Sequence, residues 1–590
     1  MTLSHHLTTL EASGLIRLAQ IEPELEYLFR HALVQEAAYS SLVKSDRKLL
    51  HRTVGEALER TYPGQLDSRE LAPLLGQHFS LAGDDARALH YFTLAGDAAA
   101  RVYANAEAIM HYSRAIEMAQ NLAPGFAAMA HGLQDLYLRR GRMLELNGQF
   151  DEALASYAEM EALAGARADR AMQLAALMAR ATIHSTPTAR FDVTQGELLS
   201  QQAMALAREL GDRAAEAKIL WNLVLLNNFS GRYEDALNYG EQSLKLAREL
   251  GLREQLAYTL NDLNPGYATT GQPHRAVEAL EEAQILWREL GNQPMLADSL
   301  SSLSLFHYFG GKLEQALTLA KEAHQISRAI GNLWGQSYSL WHIGLIGAER
   351  GDMAQAVEAL SESERLGEQA GFAIAEVAVR AQLSLIYGTL GLVASGLELA
   401  HLALARSEML ISWRYFPLAS LIFLNILNGD LPTAEAALIQ CETGLRDPFA
   451  RNYLVLAEVD LRLAQQKYAE TIKLTDELDT SLRQSGMRVF LPSALDYKGR
   501  ALLALDRLDE AEAALTEARA EAEAIGSRRS LWPVLIGLHQ IKLRRGHLAE
   551  AERLRTQARE VIRFIADHCP PDLRASFLNL PEVQVVMEAA

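Results

Sequence analysis

The chain has 590 residues, 49% of them hydrophobic, and a formal net charge of −18 from 56 basic and 74 acidic side chains. A single hydrophobic core stops growing at about 250 to 300 residues, so this length predicts several domains or one elongated repeat array. The apolar content excludes an intrinsically disordered chain. The acidic balance argues against a nucleic-acid partner, because binding to the phosphate backbone requires a concentrated basic surface.

The sequence shows no sign of export or membrane insertion. No uninterrupted apolar run approaches the ~18 residues of a membrane span. The N-terminus, MTLSHHLTTLEASG, lacks the basic and apolar regions of a secretory signal. Cys441 and Cys569 are the only two cysteines, which is typical of neither a disulfide framework nor a zinc site. We therefore predict a soluble, cytoplasmic protein that has no membrane partner.

The first 62 residues predict a helix, a hairpin and a further helix. Residues 3–14 (LSHHLTTLEASG) form a helical pattern that ends at Gly14, and residues 15–33 alternate around the turn-like EPE at 22–24. An apolar stripe then predicts a helix over residues 46–62. A helix followed by a hairpin is typical of the second half of a winged helix.

The next and largest part of the chain is repetitive. One series of glycines follows at intervals of 40 residues, and a second series with the same interval is offset by 20: Gly231, Gly271, Gly311, Gly351, Gly391 and Gly211, Gly251, Gly291, Gly331, Gly371. Because a helix end favours positive φ at the residue after it, each glycine predicts a turn between helices of similar length. The segments between the glycines, such as residues 236–250, are amphipathic. Looser copies on both sides bring the total to about 11 or 12 hairpins.

A small residue stands five positions after the turn glycine in four of these units: Ala236, Ala276, Ala316 and Ala356. In residues 339–360, Ile343 and Gly344 fall on the Leu-Gly pair of the tetratricopeptide repeat. The array thus resembles that family in a forty-residue variety. A HEAT or armadillo array of similar period is the alternative. The resemblance implies an all-α, right-handed solenoid over residues 63–565, between a partial winged helix at 1–62 and a capping tail at 566–590.

The resemblance also implies that the first helix of each hairpin lines a concave groove. Counting back from the turn glycines gives nine groove candidates: Trp221, Asn228, Phe229, Tyr258, Asn261, Tyr308, Phe309, Tyr338 and Trp341. Aromatic side chains dominate interface energies, and asparagines can hold a peptide backbone. We therefore expect a protein or peptide partner. The alternative for each side chain is packing against the adjacent hairpin.

Both ends of the chain resemble a further family. LFRHALVQEAAYSSL followed by DRKLLHRTVGEALE is similar to the winged-helix region that ends the ATPase module of bacterial signal-transduction NTPases. These are the STAND and AAA types, including those linked to adenylate cyclases or large transcriptional regulators. Residues 569–586 resemble the closing segment of such chains. The resemblance implies the sensor region of a signalling NTPase, with His31 at the position that senses the nucleotide in an intact parent.

No motif in the sequence predicts chemistry. G-x-x-x-x-G-K-[ST], H-E-x-x-H and G-x-S-x-G are all absent. We therefore predict a protein that is not an enzyme, has no catalytic or metal-binding residue and needs no cofactor. The expected function is a scaffold or sensor that binds protein or peptide. The alternative is a domain that senses a small effector and regulates an associated ATPase, cyclase or transcription regulator. Self-association and the natural start of the chain are left open.

Overall fold

A computed structural model describes residues 3–20, 26–122, 130–410, 413–441 and 448–588. The chain divides into two compact units, Met1–Glu145 and Leu146–Ala590. Almost every element in both units is an α-helix. The predicted boundaries at residues 62 and 565 stay predictions.

The first unit begins with the predicted order of helix, hairpin and helix. Its elements there are α1 (Leu3–Ala12), β1 (Ile16–Gln20), β2 (Glu26–Phe29), α2 (Ala32–Ser41) and α3 (Lys44–Thr61). The strands pair antiparallel with Ile16 opposite Phe29, and Gly14 has a φ of 73°. The turn-like residues 22–24 lie outside the described residues. The assignment of this segment as a winged helix stays a prediction.

Three helices follow in the first unit, and a fourth reaches its boundary: α4 (Leu71–Ala82), α5 (Asp85–Arg101), α6 (Asn105–Asn121) and α7 (Ala130–Leu146). Helices α4, α5 and α6 pack through buried aromatic rings, among them Phe92 and Tyr112. A Cβ on Gly96 would lie 2.5 Å from the Tyr112 ring. Glycine at this position therefore lets α5 and α6 approach closely.

The second unit is a continuous series of helices. They are α8 (Phe150–Arg167), α9 (Arg170–Ser185), α10 (Val193–Leu210), α11 (Arg213–Phe229), α12 (Tyr233–Leu250), α13 (Arg253–Asp262), α14 (Asn264–Thr269), α15 (Pro273–Leu290), α16 (Gln293–Phe309), α17 (Leu313–Ala329), α18 (Leu333–Arg350), α19 (Met353–Ala370), α20 (Arg380–Thr389), α21 (Val393–Arg406), α22 (Tyr415–Leu427), α23 (Leu431–Ile439), α24 (Pro448–Ala464), α25 (Tyr468–Ser485), α26 (Leu491–Ala504), α27 (Leu508–Ile525), α28 (Arg528–Arg544), α29 (Leu548–Asp567), α30 (Pro571–Leu578) and α31 (Pro581–Met587). A π-helical turn (Ala375–Val379) precedes α20, and 3₁₀ turns follow α21 (Ser407–Met409) and precede α26 (Arg488–Phe490). Within the described residues, α9 to α29 form ten hairpins, and the predicted all-α helical-repeat solenoid is confirmed.

The two glycine series mark the turns as predicted. All ten glycines have positive φ, from 65° at Gly371 to 85° at Gly391. The four alanines that follow them are fully buried between helices. Where the register loosens, Gln466 and Asp506 take the same left-handed conformation, with φ of 60° and 59°. The turn geometry is therefore kept even where glycine is lost.

The array coils back on itself, which the sequence analysis did not predict. Glu349 in α18 is 1% exposed and contacts the start of helix α28, 178 residues further along the chain. It accepts hydrogen bonds from the Ser527 hydroxyl and from Arg529, whose Nε and Nη2 lie 2.9 and 2.8 Å from Oε2. Nearby, the Ala354 amide donates to the His568 carbonyl at 2.7 Å. We call the contact of Glu349 with Ser527 and Arg529 the seam.

The last two helices cover the end of the array. Val583 and Val586 of α31 are buried, and Arg559 of α29 donates from Nε to the Val586 carbonyl at 2.7 Å. Arg555 donates to the Glu588 carbonyl at 2.5 Å. These bonds satisfy carbonyl groups at the end of α31, which have no hydrogen-bond donor within the helix itself. The assignment of residues 566–590 as a capping tail stays a prediction.

Candidate binding site on the inner face of the array

The first helices of successive hairpins line the inner face of the second unit. Helices α11 and α13 contact each other directly, as do α16 and α18. The second helices α12, α15 and α17 are instead joined by ion pairs between long side chains. Arg248 pairs with Glu282 at 3.1 Å, and Arg288 pairs with Glu322 at 3.4 Å. Closer packing on one side curves the array toward that side. The first helices are therefore on the concave side.

The forty-residue period stacks side chains in columns on this inner face. One column contains Lys218, Tyr258, Asp298 and Tyr338, and an adjacent column contains Asn222, Asp262, Ser302 and His342. A third contains Trp221, Asn261, Ser301 and Trp341. Five of the nine groove candidates belong to these columns. The columns bring four of them together with two aspartates that the sequence analysis did not select, whereas the fifth, Trp341, packs against Trp413.

A pair of carboxylates is the centre of the candidate site. The Asn261 side chain donates from Nδ2 to Asp262 Oδ1 at 3.0 Å and to Asp298 Oδ2 at 2.7 Å. Trp221 Nε1 donates to Asp262 Oδ2 at 2.6 Å. Both aspartates are half-buried, and Asn261 is 1% exposed. One amide group therefore connects carboxylates from consecutive hairpins.

Both carboxylates have raised pKa values. Burial raises the pKa of Asp262 to about 6, against the hydrogen bonds from Asn261 and Trp221 and the charge of Lys218. Burial and the charge of Asp262 raise the pKa of Asp298 to about 7. Across the part of the chain that the structure describes, neither carboxylate forms an ion pair. Burial and the charge of Asp298 also raise the pKa of Tyr338.

An ammonium group already lies against the aromatic side chains of this site. Lys218 Nζ is 3.8 Å from the centre of the Trp221 ring and 5.1 Å from that of Tyr258. The two rings are 5.1 Å apart, and Trp287 packs edge-on against Tyr258 at 4.8 Å. Such distances are those of cation–π contacts. The inner face thus combines carboxylates with rings that attract cations.

A chain of aromatic rings fills the neighbouring part of the interior and crosses between coils. Ring centres lie 5.8 Å apart for Phe309–Phe490, 4.8 Å for Phe490–Tyr453, 5.0 Å for Tyr453–Phe416, 5.5 Å for Phe416–Trp413 and 5.9 Å for Trp413–Trp341. Phe309 and Trp341 are 6% and 2% exposed. These rings therefore belong to the core that holds the coils together.

The structure separates the nine groove candidates into two groups. Trp221 and Asn261 donate hydrogen bonds to the carboxylate pair, and Tyr338 is close enough for the charge of Asp298 to raise its pKa. Tyr258 packs against Trp221 at 5.1 Å, and Asn228 donates to the Asp262 backbone carbonyl at 2.8 Å. Tyr308, Phe309 and Trp341 lie in the aromatic core, and Phe229 packs against Phe191 at 6.1 Å. Most of the nine are buried, while Phe229, Tyr258 and Tyr338 are half-buried. Their role in binding a partner stays a prediction.

His31 lies at the junction of β2 and α2, in the first unit. Its φ of −136° and ψ of 130° are extended, and its side chain does not cap the helix. The side chain is exposed. Its proposed correspondence to a nucleotide-sensing residue stays a prediction.

Sequence reasoning missed Asp262, Asp298 and Lys218. Carboxylates are abundant on the exposed faces of this array, and these two did not stand out from the other acidic residues. The available signal was positional: Asp298 and Lys218 occupy the column of Tyr258 and Tyr338. A carboxylate in a column of inward aromatic residues would have identified the site.

Metal-binding clusters and membrane-spanning helices are absent from the described part of the chain. Among the described residues, no three or more histidine, cysteine or acidic side chains converge as a metal site would require. None of the helices in those residues is both long enough and apolar enough to span a membrane. Cys441 and Cys569 are free, and burial raises the pKa of each thiol to about 11.

No known protein-family model matches the chain, and no curated protein matches it in sequence. Several solved structures are similar to it at low sequence identity. A Rap protein complexed with competence and sporulation factor is 13% identical, with a TM-score of 0.42 over 65% of this chain and 99% of that chain. A signal-transduction ATPase with a tetratricopeptide repeat sensor from Pyrococcus horikoshii is 14% identical, with a TM-score of 0.36 over 74% of this chain and 57% of that chain. Yeast Tom70 is 14% identical, with a TM-score of 0.31 over 93% and 100%.

Proposed function

We propose that this chain binds a protein or peptide on the inner face of its repeat array and has no catalytic activity of its own. The observation that carries the proposal is the carboxylate pair of Asp262 and Asp298, half-buried among Trp221, Tyr258 and Tyr338. Aromatic rings beside partly desolvated polar groups are the usual composition of binding hot spots. An array of helical hairpins also offers an extended surface to a peptide.

We further propose that the array is the sensor region of a signal-transduction NTPase of the STAND or AAA type. The support is the resemblance of residues 27–59 to the winged-helix region that ends such an ATPase module. Apolar side chains in this segment are exposed, with Leu33 at 78%, Val43 at 60% and Leu49 at 64%. Exposed apolar residues concentrated in one segment are typical of a surface that contacts another module.

Site-specific crosslinking tests the binding face. A photoreactive amino acid replaces Tyr338 on the inner face in one variant and Glu282 on the outer face in a matched variant. Both proteins are irradiated in extract, and the adducts are identified by mass spectrometry. We expect a defined protein or peptide adduct at position 338 and none at 282. An adduct at position 282 alone would contradict the proposed binding face. ATP hydrolysis by the purified chain would contradict the proposal that it has no catalytic activity.

A small effector is the second candidate ligand. It is favoured by Asp298, whose half-buried carboxylate on the inner face is small enough a target for a single charged group of a small molecule. Native mass spectrometry of the purified chain distinguishes the two candidates. A bound species below about the mass of a pentapeptide would favour the effector, and a larger one the peptide.

A further inference from the structure

We infer that the inner face recognises a cationic group, an ammonium or guanidinium, which binds between Asp262 and Asp298 against the rings of Tyr258 and Tyr338. The inference rests on the proposed function and specifies the chemistry of the ligand. A basic side chain of a peptide and a free polyamine share this chemistry.

The first argument compares these aspartates with acidic residues elsewhere in the array. At the surface of the array, Glu249 pairs with Arg213 at 2.7 Å, and Glu282 pairs with Arg248 at 3.1 Å. Those carboxylates are 42% and 45% exposed and have water as well as a partner. The two inner carboxylates are more buried and have no ion-pair partner among the described residues. Asp262 has the charge of Lys218 nearby, but Asp298 has no such cation in the described part of the chain, and a buried charge without one is costly. A bound cation would offset part of that cost.

The second argument is a buried acceptor atom inside the same cluster. Asn261 uses its Nδ2 to donate hydrogen bonds to both carboxylates. Its Oδ1 is buried and accepts no hydrogen bond from any described residue. Asn228 Oδ1, on the amide that donates to the Asp262 carbonyl, is in the same condition. Buried acceptors are nearly always satisfied in folded proteins. A cation bound between the carboxylates would lie beside the Asn261 amide, which contacts both of them, and would offer a donor to its oxygen.

The third argument is the Lys218 ammonium group, which occupies the Trp221 end of the site. It shows that the rings accept a cation in this geometry, 3.8 Å from the Trp221 centroid. No described lysine or arginine forms an ion pair with Asp298 at the other end, beside Tyr338. His342, whose ring centre is 4.6 Å from that of Tyr338, is fully buried, and burial lowers its pKa to about 3. Its neutral ring does not repel a second cation.

The test measures binding of defined cations to the full chain. The probes are spermidine, L-argininamide, and a blocked pentapeptide with one central arginine flanked by alanines. The same peptide with citrulline in place of arginine keeps the size and removes the charge. Binding is measured at pH 8 by calorimetry and by the fluorescence of the tryptophans. We expect the arginine peptide to bind at least ten-fold more tightly than the citrulline peptide, and spermidine to bind if a free polyamine is the source.

The matched variants are Asp298→Asn on the inner face and Glu282→Gln on the outer face. We expect Asp298→Asn to weaken cation binding at least ten-fold, since it removes one of the two charges but keeps the shape. Glu282→Gln should bind as the wild type does. Asp262→Asn provides an independent second variant, and circular dichroism verifies that each protein is folded.

Equal affinity of the wild type and both inner variants would overturn the inference, because the cation would then bind elsewhere. Equal affinity for the arginine and citrulline peptides would overturn it as well. If no cationic probe binds while the photoreactive group at position 338 still captures a partner, the cation inference is wrong and the proposed binding face stands. Capture at position 282 alone would contradict both the cation inference and the proposed binding face.

Discussion

The inner and outer faces of the repeat array contain acidic residues in opposite circumstances. On the outer face, carboxylates such as Glu282 and Glu322 are exposed and pair with an arginine of the preceding hairpin. On the inner face, Glu349 is fully buried with three donor side chains, and Asp298 is half-buried with a single amide as its hydrogen-bond donor. An outer carboxylate therefore has water and one exposed arginine as partners, whereas an inner carboxylate depends on the few donor groups that reach it.

A substitution at the seam should have the largest effect on stability. Replacing Glu349 by Ala leaves Arg529, Ser527 and Ser530 without their shared acceptor. The Arg529 side chain is 38% exposed and can be solvated, so we expect a loss of about 3 kcal/mol, chiefly from the buried hydroxyls of Ser527 and Ser530 that lose their acceptor. Chemical denaturation followed by circular dichroism measures it.

The control for the seam is Glu314→Ala. Glu314 is 80% exposed and pairs with Arg350, the residue next to Glu349, at 2.9 Å. An exposed pair contributes about 0 to 1 kcal/mol, so the control should unfold almost as the wild type does. Equal losses in the two variants would show that the seam does not stabilise the coil.

The inner carboxylates predict a dependence of stability on pH. Their folded-state pKa values, about 6 for Asp262 and about 7 for Asp298, exceed the ~3.9 of an unfolded aspartate. The folded chain therefore binds more protons between those values, and the free energy of unfolding falls as the pH rises from about 4 to about 7. The charged or titratable groups that face the pair are Lys218 and Tyr338.

Asp298→Asn should remove much of this dependence. We expect the variant to be more stable than the wild type at pH 8, by on the order of 2 kcal/mol, and to differ little at pH 4.5. Thermal unfolding at the two pH values measures the difference. A variant that is less stable at pH 8 would mean that the charge of Asp298 stabilises the fold.

A substitution in one of the turns between helices should change the stability by a smaller amount. Gln466 has a φ of 60° at a position where the regular repeats have glycine. A left-handed conformation costs a residue with a side chain about 1 kcal/mol relative to glycine. We therefore expect Gln466→Gly to stabilise the chain by about 1 kcal/mol in denaturant titrations.

The matched control for this turn is Lys467→Gly, at the adjacent position. Lys467 has a φ of −85°, so glycine relieves no strain there and only increases the freedom of the unfolded chain. The control should therefore be less stable than the wild type. If both glycine variants are destabilised, residue 466 stores no strain in the folded turn.

The smallest expected effect is on the outer face. Arg248→Ala removes the contact with Glu282, and both side chains are about half exposed. We expect a change below about 0.5 kcal/mol, which falls further in about 0.5 M salt because exposed pairs are screened. A loss as large as that at the seam would remove the distinction between the two faces.

Local features of this fold could be predicted from the sequence, and long-range ones could not. The glycine series predicts the turns, and the buried alanines such as Ala316 and Ala356 follow from the same period. The coil depends on a small curvature summed over several hairpins, and no single residue encodes it. Glu349 was nevertheless visible as a carboxylate in the column of Phe229 and Phe309. The carboxylate pair was missed because the residues around it are about 40 positions apart in the sequence. Their proximity is visible only when successive repeats are aligned by column.

The seam also has a mechanical consequence. A solenoid whose coils do not touch extends like a spring, one hairpin after another, when its ends are pulled. Here the contact of Glu349 with Ser527 and Arg529 bridges a separation of 178 residues, so force applied outside that interval bypasses α19 to α27 until the contact breaks. Those hairpins would be protected from tension, and their release would occur as one event with a long extension.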